Sequence, residues 1–370
     1  MKITVDQAAL ARALDTVRAA VPPKTTLPIL GNILIEAEGS TLSLAVTDLD
    51  TTIVTRAEAD VREPGGITVH ARRFGDFVKD LSRSPVSIEV RDAIVHVQCE
   101  KTKAKFPGTD REEFPKFPTL AKKTEFTIDG GLFRRAVRKT MFCVSRDETR
   151  PVLTGLLWRF TKGETLLVGT DGYRLAKVAW KGGEVKEARD LVLAPKPLSQ
   201  AASLLMEIDQ PVRVAFDENH ALFQVGATDI YTRLLEGTFP KYEQVMPKES
   251  PKRLVVNREA LLTACRRVSH VSDTLSHQMT LSIGANAITV RAESAEQGEV
   301  RDEVAAEYDG ESMEIGFNAA FVMEILKALE SARVVFRLNT PITAGLVEPE
   351  EAPEGESHLY LIMPLRLAEG

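Results

Sequence analysis

The sequence lacks any apolar run that approaches the roughly 20 residues needed to cross a membrane. It also lacks the apolar segment of a secretory signal, because Asp6, Arg12 and Asp15 interrupt the region where that segment would lie. Cysteine is scarce: three residues in a chain of 370, far apart and odd in number, which predicts reduced thiols and no disulfide frame. The expected location is therefore the cytoplasm, with no membrane partner.

Patterns that carry catalytic chemistry are missing as well. There is no Gly-rich phosphate loop ending in Lys-Ser/Thr, no G-x-G-x-x-G after a strand, no G-x-S-x-G and no H-E-x-x-H. The six histidines do not cluster, and His96 and Cys99 face opposite sides of a predicted strand, so they cannot share a metal. Asp171 near Arg174 fits a turn-stabilising aspartate better than an acid–base pair. We therefore expect no enzyme activity, no cofactor and no metal.

A content of 44% hydrophobic and 27% charged residues is typical of a globular protein. The charge is unevenly distributed. Residues 1–121 hold 16 basic and 17 acidic residues, residues 122–250 hold 20 and 17, and residues 251–370 hold 11 and 19. Lys101, Lys103 and Lys105 alternate on one predicted strand of the first segment, and the last segment carries Glu296, Glu299, Asp302 and Glu303. A solvated face is the default interpretation of each cluster, but opposite signs also permit head-to-tail association.

A repeated unit organises the chain. A short alternating strand, a capping Asp6, Asp129 or Asn257 and an amphipathic helix occur three times, with the caps 123 and 128 residues apart. A second helix is predicted in each unit, near residues 72–81, 197–206 and 318–329, and the remainder forms short alternating strands. We therefore predict an α+β fold of three domains, 1–121, 122–250 and 251–370, each with two helices on antiparallel sheet.

A hairpin also recurs. Thr170-Asp171-Gly172 follows an apolar strand, and Asp-Gly is a strong turn signal, so Tyr173 and Arg174 are expected at a tight turn. Thr47-Asp48-Leu49-Asp50 follows the apolar strand of the first unit in the same way.

Basic residues accumulate on the predicted helices, opposite their apolar faces, for example at Arg134, Arg138 and Lys139. In an acidic protein this pattern fits contact with a polyanion on one side. It fits solubilisation of exposed helices equally well, and spacing alone does not separate the two.

Several motifs resemble those of one family. They are Thr26-Leu-Pro-Ile-Leu-Gly-Asn32, Thr170-Asp-Gly-Tyr-Arg-Leu175, Phe239-Pro-Lys-Tyr242, Glu314-Ile-Gly-Phe-Asn318 and Met363-Pro-Leu-Arg-Leu367. Together they resemble, over essentially the whole chain, the bacterial sliding clamps, the β subunits of DNA polymerase III. The resemblance implies a DNA-clamp fold of three repeated domains that closes as a head-to-tail homodimeric ring around duplex DNA. It implies that the protein catalyses no reaction and instead tethers the polymerase to DNA, which makes replication processive.

The resemblance also implies partners and sites. The expected partners are sequence-independent duplex DNA, the polymerase III catalytic subunit, the clamp loader, and other DNA polymerases and repair proteins that bring short clamp-binding peptides. The implied peptide pocket consists of Leu153, Thr170, Gly172, Tyr173, Arg174, Leu175, Pro240, Val245, Asn318, Phe321, Ile342, Ala344, Leu361, Ile362, Met363, Pro364, Leu365 and Arg366. The implied DNA contacts are Lys24, Arg72, Arg73, Lys79, Arg138, Arg146 and Lys196. The implied dimer interface is formed by Lys103, Lys105, Phe106, His270, Val271, Glu299 and Glu303.

The chain departs from the well-known enterobacterial pattern at a few positions. Tyr173 replaces a His, Gln244 an Arg, Ser276 a Phe and Phe321 a Tyr. Residues 368–370 extend beyond the usual end. The peptide preference is therefore expected to differ.

Two other classes of protein fit parts of the pattern. An enzyme built from repeated α+β units would place active sites between domains, but the empty motif search opposes it. A sequence-specific DNA-binding regulator would need a recognition helix for the major groove, and no helix-turn-helix pattern is present.

Overall fold

The computed structural model describes residues 1–121, 123–182, 188–206, 210–294 and 296–367. The described residues form six α-helices: α1 Gln7–Arg18, α2 Ala71–Lys79, α3 Gly130–Thr140, α4 Pro195–Leu204, α5 Arg258–Ser269 and α6 Ala319–Ala328. The three predicted second helices correspond to α2, α4 and α6, with boundaries that differ by one or two residues. No helix in these ranges is long and apolar enough to cross a membrane. The predicted extension at 368–370 lies outside the described residues.

Strands make up most of the remaining structure. The first ten are β1 Lys2–Asp6, β2 Asn32–Glu38, β3 Thr41–Thr47, β4 Thr51–Glu58, β5 Asp60–Glu63, β6 Gly65–His70, β7 Pro85–Arg91, β8 Ile94–Cys99, β9 Thr102–Thr109 and β10 Thr124–Ile128. The next seven are β11 Leu156–Phe160, β12 Glu164–Thr170, β13 Arg174–Lys181, β14 Arg189–Leu193, β15 Val212–Phe216, β16 His220–Val225 and β17 Thr228–Arg233. The last eight are β18 Lys252–Asn257, β19 Gln278–Ile283, β20 Ala287–Ser294, β21 Gly298–Tyr308, β22 Met313–Asn318, β23 Arg333–Leu338, β24 Gly345–Pro349 and β25 Glu356–Ile362.

The chain forms two compact units, each built on one continuous sheet. The first unit comprises 1–134 and 196–234, with strand order β10-β15-β16-β17-β4-β3-β2-β6-β9-β8-β7-β1-β5. The second comprises 135–195 and 235–370, with strand order β14-β11-β12-β13-β25-β24-β23-β18-β21-β20-β19-β22. The central segment of the sequence therefore contributes strands to both sheets. The boundaries predicted at 121/122 and 250/251 do not coincide with the division between these units and stay predictions.

The repeated helix start has the predicted physical basis. Side-chain oxygens of Asp6, Asp129 and Asn257 accept hydrogen bonds from the backbone N–H groups three residues later, at 2.9, 2.8 and 2.9 Å. Each bond satisfies one of the N–H groups that the first turn of a helix leaves without a partner. The apolar faces of the helices are buried, as at Leu10 of α1 and Leu261 of α5, both 0% exposed.

The repeated hairpin is built identically in its polar bonds. At β3–β4 the Thr47 hydroxyl bonds the carbonyl of Thr51, and the Leu49 N–H donates to that hydroxyl. At β12–β13 the Thr170 hydroxyl bonds the carbonyl of Arg174, and the Gly172 N–H donates to it. Leu49 and Gly172 occupy the equivalent position with φ of 80° and 94°. Glycine is unstrained in this left-handed region, whereas leucine is held there by the surrounding bonds.

Successive segments are joined by antiparallel pairing of strand edges. In the first unit β17 pairs with β4, with Ile230 opposite Ile53. In the second unit β13 pairs with β25 over seven residues, from Arg174 opposite Ile362 to Trp180 opposite Glu356. Main-chain hydrogen bonds thus connect segments distant in sequence. At the β4–β17 joint they are joined by side-chain bonds, between the hydroxyls of Thr55 and Thr228 and between Arg56 and Asp229.

Two expectations from the sequence were wrong in detail. Lys101 precedes β9 and lies in the turn, so only Lys103 and Lys105 alternate on that strand. Lys139 was grouped with the outward cations of the predicted helix, but it is 1% exposed. Its ammonium group turns inward because carboxylate and imidazole partners are available there.

These partners form a buried polar cluster in the second unit. Lys139 Nζ lies 3.1 Å from Glu330 Oε2 and 3.3 Å from His358 Nδ1. His358 Nε2 lies 2.9 Å from Glu356 Oε2, and Glu356 also pairs with Arg135. Burial, reinforced by the Lys139 charge, lowers the pKa of His358 below its ordinary value, although Glu356 opposes the shift. His358 is therefore neutral at physiological pH, accepting at Nδ1 and donating from Nε2.

The stability of the second unit should consequently depend on pH. As the pH falls through about 6.5, the unfolded chain binds a proton at His358 before the folded chain does, so the free energy of unfolding falls, by at most about 1.4 kcal/mol per pH unit from this group. His358→Gln should flatten the profile between pH 8 and 5.5. Both tryptophans, Trp158 and Trp180, are buried in this unit, so denaturant unfolding followed by their fluorescence measures it. His277→Gln, at an exposed site of the same unit, is the matched control and should keep the wild-type slope. Equal slopes in all three proteins would contradict the assignment.

Candidate functional site

The hairpin β12–β13 and the C-terminal strand meet in the second unit. Beyond the end of β25, the Met363 N–H donates to the Tyr173 carbonyl at 2.9 Å, which extends the pairing to the hairpin tip. Two residues later the Leu365 N–H donates to the Gly316 carbonyl at 2.8 Å, on β22. A side chain on Gly316 would collide with this segment, since its Cβ would lie 2.8 Å from the Leu365 oxygen. The segment Met363–Leu365 is thus fixed at both ends.

Beneath this junction lies an apolar floor. Leu175, Ala344 and Leu361 belong to one buried cluster with Phe239 and Tyr242 of the Phe-Pro-Lys-Tyr motif. Seven members of the predicted pocket are buried: Leu153, Thr170, Arg174, Leu175, Ala344, Leu361 and Ile362. Leu175 is 1% exposed, so it supports the surface from below and does not offer itself to a partner.

The other predicted pocket residues lie in the same unit and are half-buried or exposed. Ile342 is 78% exposed, Tyr173 66% and Val245 47%, unusually high values for large apolar side chains. Gly172, Pro240 and Arg366 are also exposed, and Asn318, Phe321, Met363, Pro364 and Leu365 are half-buried. The structure therefore brings all 18 predicted pocket residues into one unit, some of them buried and some exposed.

Arg174 is the polar centre of this region. It is 7% exposed; Nε donates to Asp171 Oδ2 at 3.0 Å, Nη2 donates to the Phe142 carbonyl at 2.9 Å, and Nη1 pairs with Glu324. Its guanidinium carbon stands 4.2 Å from the centre of the Phe321 ring. Burial opposes its charge, but the Glu324 bond and the surrounding charges outweigh burial and raise the pKa of Arg174. The side chain is fixed and charged, with one face on an aromatic ring.

Some contributing residues were absent from the sequence-based set. Glu324 lies three positions after Phe321 on α6, and that spacing puts both on one helix face, a signal that was available. Val152, Met246 and Leu346 pack half-buried against the floor. They come from a 3₁₀ turn, a loop and the interior strand β24, and no pattern in the sequence connects them.

The four departures from the enterobacterial pattern can now be located. Tyr173 is at the exposed hairpin tip, and Phe321 stacks on Arg174. Gln244 is exposed beside Val245. The Ser276 hydroxyl bonds Asp273, while its carbonyl accepts from Asn318, the cap of α6.

The seven predicted DNA contacts are all exposed cations. In the first unit, Lys24 follows α1, Arg72 and Arg73 begin α2, Lys79 ends α2 and Lys196 begins α4. In the second unit, Arg138 lies in the last turn of α3 and Arg146 in the loop beyond it.

The predicted interface residues are divided between the units. Lys103 and Lys105 project from β9 into solvent, but Phe106 faces the other way and packs edge-on against Phe74 and Phe77 at 5.5 and 5.1 Å between ring centres. In the second unit, Glu299 and Glu303 are exposed on β21, and His270 and Val271 follow α5. Within the described residues there is no group of three or more metal-ligating side chains.

Helices packed on sheets made of repeated segments define the class as a three-domain DNA clamp. Family models for the N-terminal, central and C-terminal domains of the DNA polymerase III beta subunit match residues 1–118, 127–241 and 243–366. The chain is 31% identical to the beta sliding clamp of Caulobacter vibrioides and 30% identical to that of Escherichia coli, in each case over 99% of this chain and all of the relative.

Solved structures agree. The sliding clamp of Pseudomonas aeruginosa bound to griselimycin superposes with a TM-score of 0.94 at 29% identity, covering 99% of this chain and all of that one. The Bacillus subtilis clamp gives 0.94 at 28% identity, covering 99% of each chain. This chain belongs to the DNA polymerase III β subunit family, the bacterial sliding clamps. The resemblance seen in the sequence is confirmed, and with it the expectation of a processivity clamp that has no catalysis of its own.

The arrangement around Arg174 predicts a dependence on Glu324. Glu324→Ala would leave the buried guanidinium with Asp171 as its remaining carboxylate, which should cost about 1–3 kcal/mol in the free energy of unfolding. Lys327→Ala, at an exposed position of the same helix, is the control and should stay within about 0.5 kcal/mol of wild type. Denaturant unfolding followed by tryptophan fluorescence measures both. Equal stabilities of the two variants would show that Glu324 does not hold Arg174.

Proposed function

We propose that two copies of this chain close head to tail into a ring around duplex DNA and that the surface around Tyr173, Val245, Ile342 and Met363 receives short peptides of replication and repair proteins. The observation that carries the ring is a pair of strand edges with opposite charge, one on β9 and one on β21.

The first edge belongs to β9. Its first half, Thr102–Pro107, pairs with β8 alone, since β6 joins β9 only at Gly108 and Thr109. In the described part of the chain no strand occupies the other side of this half. Lys103 and Lys105 project from it.

The second edge belongs to β21. Residues 298–305 pair with β20, whereas β18 joins β21 only from Ala306 to Tyr308. Among the described residues no strand pairs with the other side of 298–305. Glu299 and Glu303 are exposed on it.

An unpaired strand edge invites pairing with another chain. The chain already joins its own segments in this way, through β4 with β17 and β13 with β25. Pairing β9 of one copy with β21 of the other would continue both sheets, and the lysines would face the glutamates. Phe106, His270 and Val271 would lie near this joint, as the family resemblance implies.

Contact with DNA is supported by the exposed cations at Lys24, Arg72, Arg73, Lys79, Arg138, Arg146 and Lys196. Charges of this kind bind phosphate and carry no base information, as a sliding protein requires. Five of the seven lie in the first or last turn of a helix, which fits a surface lined by helices.

The peptide site is supported by three exposed apolar side chains, a buried apolar cluster and the fixed Arg174 in the same unit. Leu or Phe anchors of a partner would bury against Ile342, Val245 and Met363, and the thioether of Met363 adapts to different shapes. The proposed users are the polymerase catalytic subunit, the clamp loader, other DNA polymerases and repair proteins. The proposed location is the cytoplasm, where the bacterial chromosome is copied.

The ring predicts a coupled loss of dimer and DNA retention. Lys103→Glu with Lys105→Glu would oppose Glu299 and Glu303 with like charge, most strongly at low salt, where screening is weakest. Light scattering should give a monomer, and the variant, after loading, should not stay on circular DNA. The wild type should stay on circles and leave when they are cut.

The control pair is Lys162→Glu with Lys181→Glu, which reverses two exposed lysines that form no ion pair in the described structure. It should remain dimeric and stay on circles. An unchanged dimer in the Lys103/Lys105 variant would refute the proposed interface.

The peptide site predicts a local loss of binding. The test peptide carries one Gln and two Leu, with a version lacking the leucines for comparison. Ile342→Ser with Met363→Ser should weaken binding at least tenfold, since each anchor is worth about 1.5–3 kcal/mol. Leu175 is unsuitable for this test because its polar replacement would disturb the core.

Met206→Ser is the control, at a methionine that is 74% exposed in the first unit. Calorimetric titration measures all proteins, and light scattering checks that the dimer persists. Equal binding by wild type and the Ile342/Met363 variant would mean that partners bind elsewhere.

A further inference from the structure

Three of the seven proposed DNA contacts are already paired with carboxylates. Lys79 Nζ lies 2.6 Å from Asp15 Oδ1, Lys196 Nζ lies 2.6 Å from Asp48 Oδ2, and Arg138 pairs with Glu330. The side chains of the other four, Lys24, Arg72, Arg73 and Arg146, have no ion-pair partner among the described residues. The cations thus fall into two groups, neutralised and free.

The Asp48–Lys196 pair is the most firmly built of the three. Asp48 belongs to the β3–β4 hairpin, and its Oδ1 accepts from the Thr51 N–H at 2.7 Å. That bond leaves Oδ2 directed at Lys196, and the carboxylate side chain is only 20% exposed, against 44% for the lysine. In the Asp15–Lys79 pair the side chains are 50% and 40% exposed.

The hairpin repeat gives a second indication. At the equivalent position of the other hairpin, Asp171 uses one oxygen for the turn and the other for Arg174 of the same hairpin. Asp48 uses one oxygen for the turn in the same way, but directs the other to a helix, α4. Lys196 is in the first turn of that helix, where the backbone dipole disfavours a cation and favours a nearby carboxylate.

We propose that Asp48 competes with DNA phosphate for Lys196; this proposal rests on the DNA contact proposed above. The ion pair keeps Lys196 from binding phosphate and so lowers the affinity of the clamp for DNA. A free cation that meets a phosphate releases condensed counterions, and each such contact steepens the salt dependence of binding. A cation that must first break an ion pair with a carboxylate contributes much less to the binding free energy. Asp15 and Glu330 act in the same sense on Lys79 and Arg138, with the free cations supplying most of the attraction. A clamp with some of its cations neutralised stays electrostatically attracted to DNA and moves along it more easily.

The test measures how the affinity of the full-length protein for a fluorescent linear duplex depends on salt. The duplex has open ends, so the protein can thread onto it. Fluorescence anisotropy gives the affinity, and the result is the slope of log affinity against log salt concentration. Asp48→Asn keeps an oxygen for the Thr51 N–H and removes the charge. The slope should become steeper by about 0.9, the value of one added phosphate contact. When the salt is lowered from 150 to 50 mM, the affinity of the variant should therefore rise about threefold more than that of wild type. Lys196→Ala added to Asp48→Asn should restore the wild-type slope, because the released cation is then absent.

Asp50→Asn is the matched control: the same charge change two residues away, at an exposed aspartate with no ion pair in the described structure. If it steepens the slope as much as Asp48→Asn does, the effect is general electrostatics and the proposal fails. The proposal also fails if Lys196→Ala alone flattens the wild-type slope by about 0.9, since the pair would then already be open to DNA. Absence of any salt-dependent binding by wild type would instead refute the proposed DNA contact itself.

Discussion

Antiparallel pairing between strand edges is the interaction on which the rest of the structure depends. It joins β4 to β17 in one unit and β13 to β25 in the other, so each sheet is assembled from more than one segment of sequence. Backbone N–H and C=O groups at an edge must find partners, and here they find them in a different repeat. The same requirement stays open on β9 and β21, where charged side chains mark the unpaired halves. The proposed ring would continue between two copies the edge pairing that the chain already makes internally.

The proposed partner site depends on one of these joints. Because β25 pairs with β13, the residues after β25 are led past the hairpin tip, where Met363 bonds Tyr173. The pairing continues onto β22 through Leu365 and brings α6, with Phe321 and Glu324, to Arg174. A buried arginine is tolerated only with carboxylates and an aromatic face around it. The base of the proposed site is therefore fixed by buried contacts, and the exposed groups such as Tyr173 and Ile342 are those that the proposal assigns to partners.

Ion pairs occur both at the surface and in the interior of this protein. At the surface, the overall charge of −6 coexists with exposed cations at helix ends, and several of these are balanced by carboxylates within reach. In the interior, Lys139 is held by Glu330 and His358, and this cluster ties α3 to β25 in the second unit. Exposed pairs are weak and can be exchanged for phosphate, whereas the buried set is costly to break. Function and stability thus use the same residue types in different environments.

The sequence by itself determined much of this protein. The caps at Asp6, Asp129 and Asn257, the repeated Thr-Asp turns and the apolar periodicities are local signals, and the elements form where these signals place them. The motifs also indicated the family, because their order along the chain is specific. Tertiary structure alone decided which side chains are accessible and paired. Lys139 is buried although a basic helix face predicts otherwise, and Val152 and Met246 join the buried cluster from elements distant in sequence. Burial and ion pairing depend on neighbours supplied by other repeats, and local patterns do not encode those neighbours.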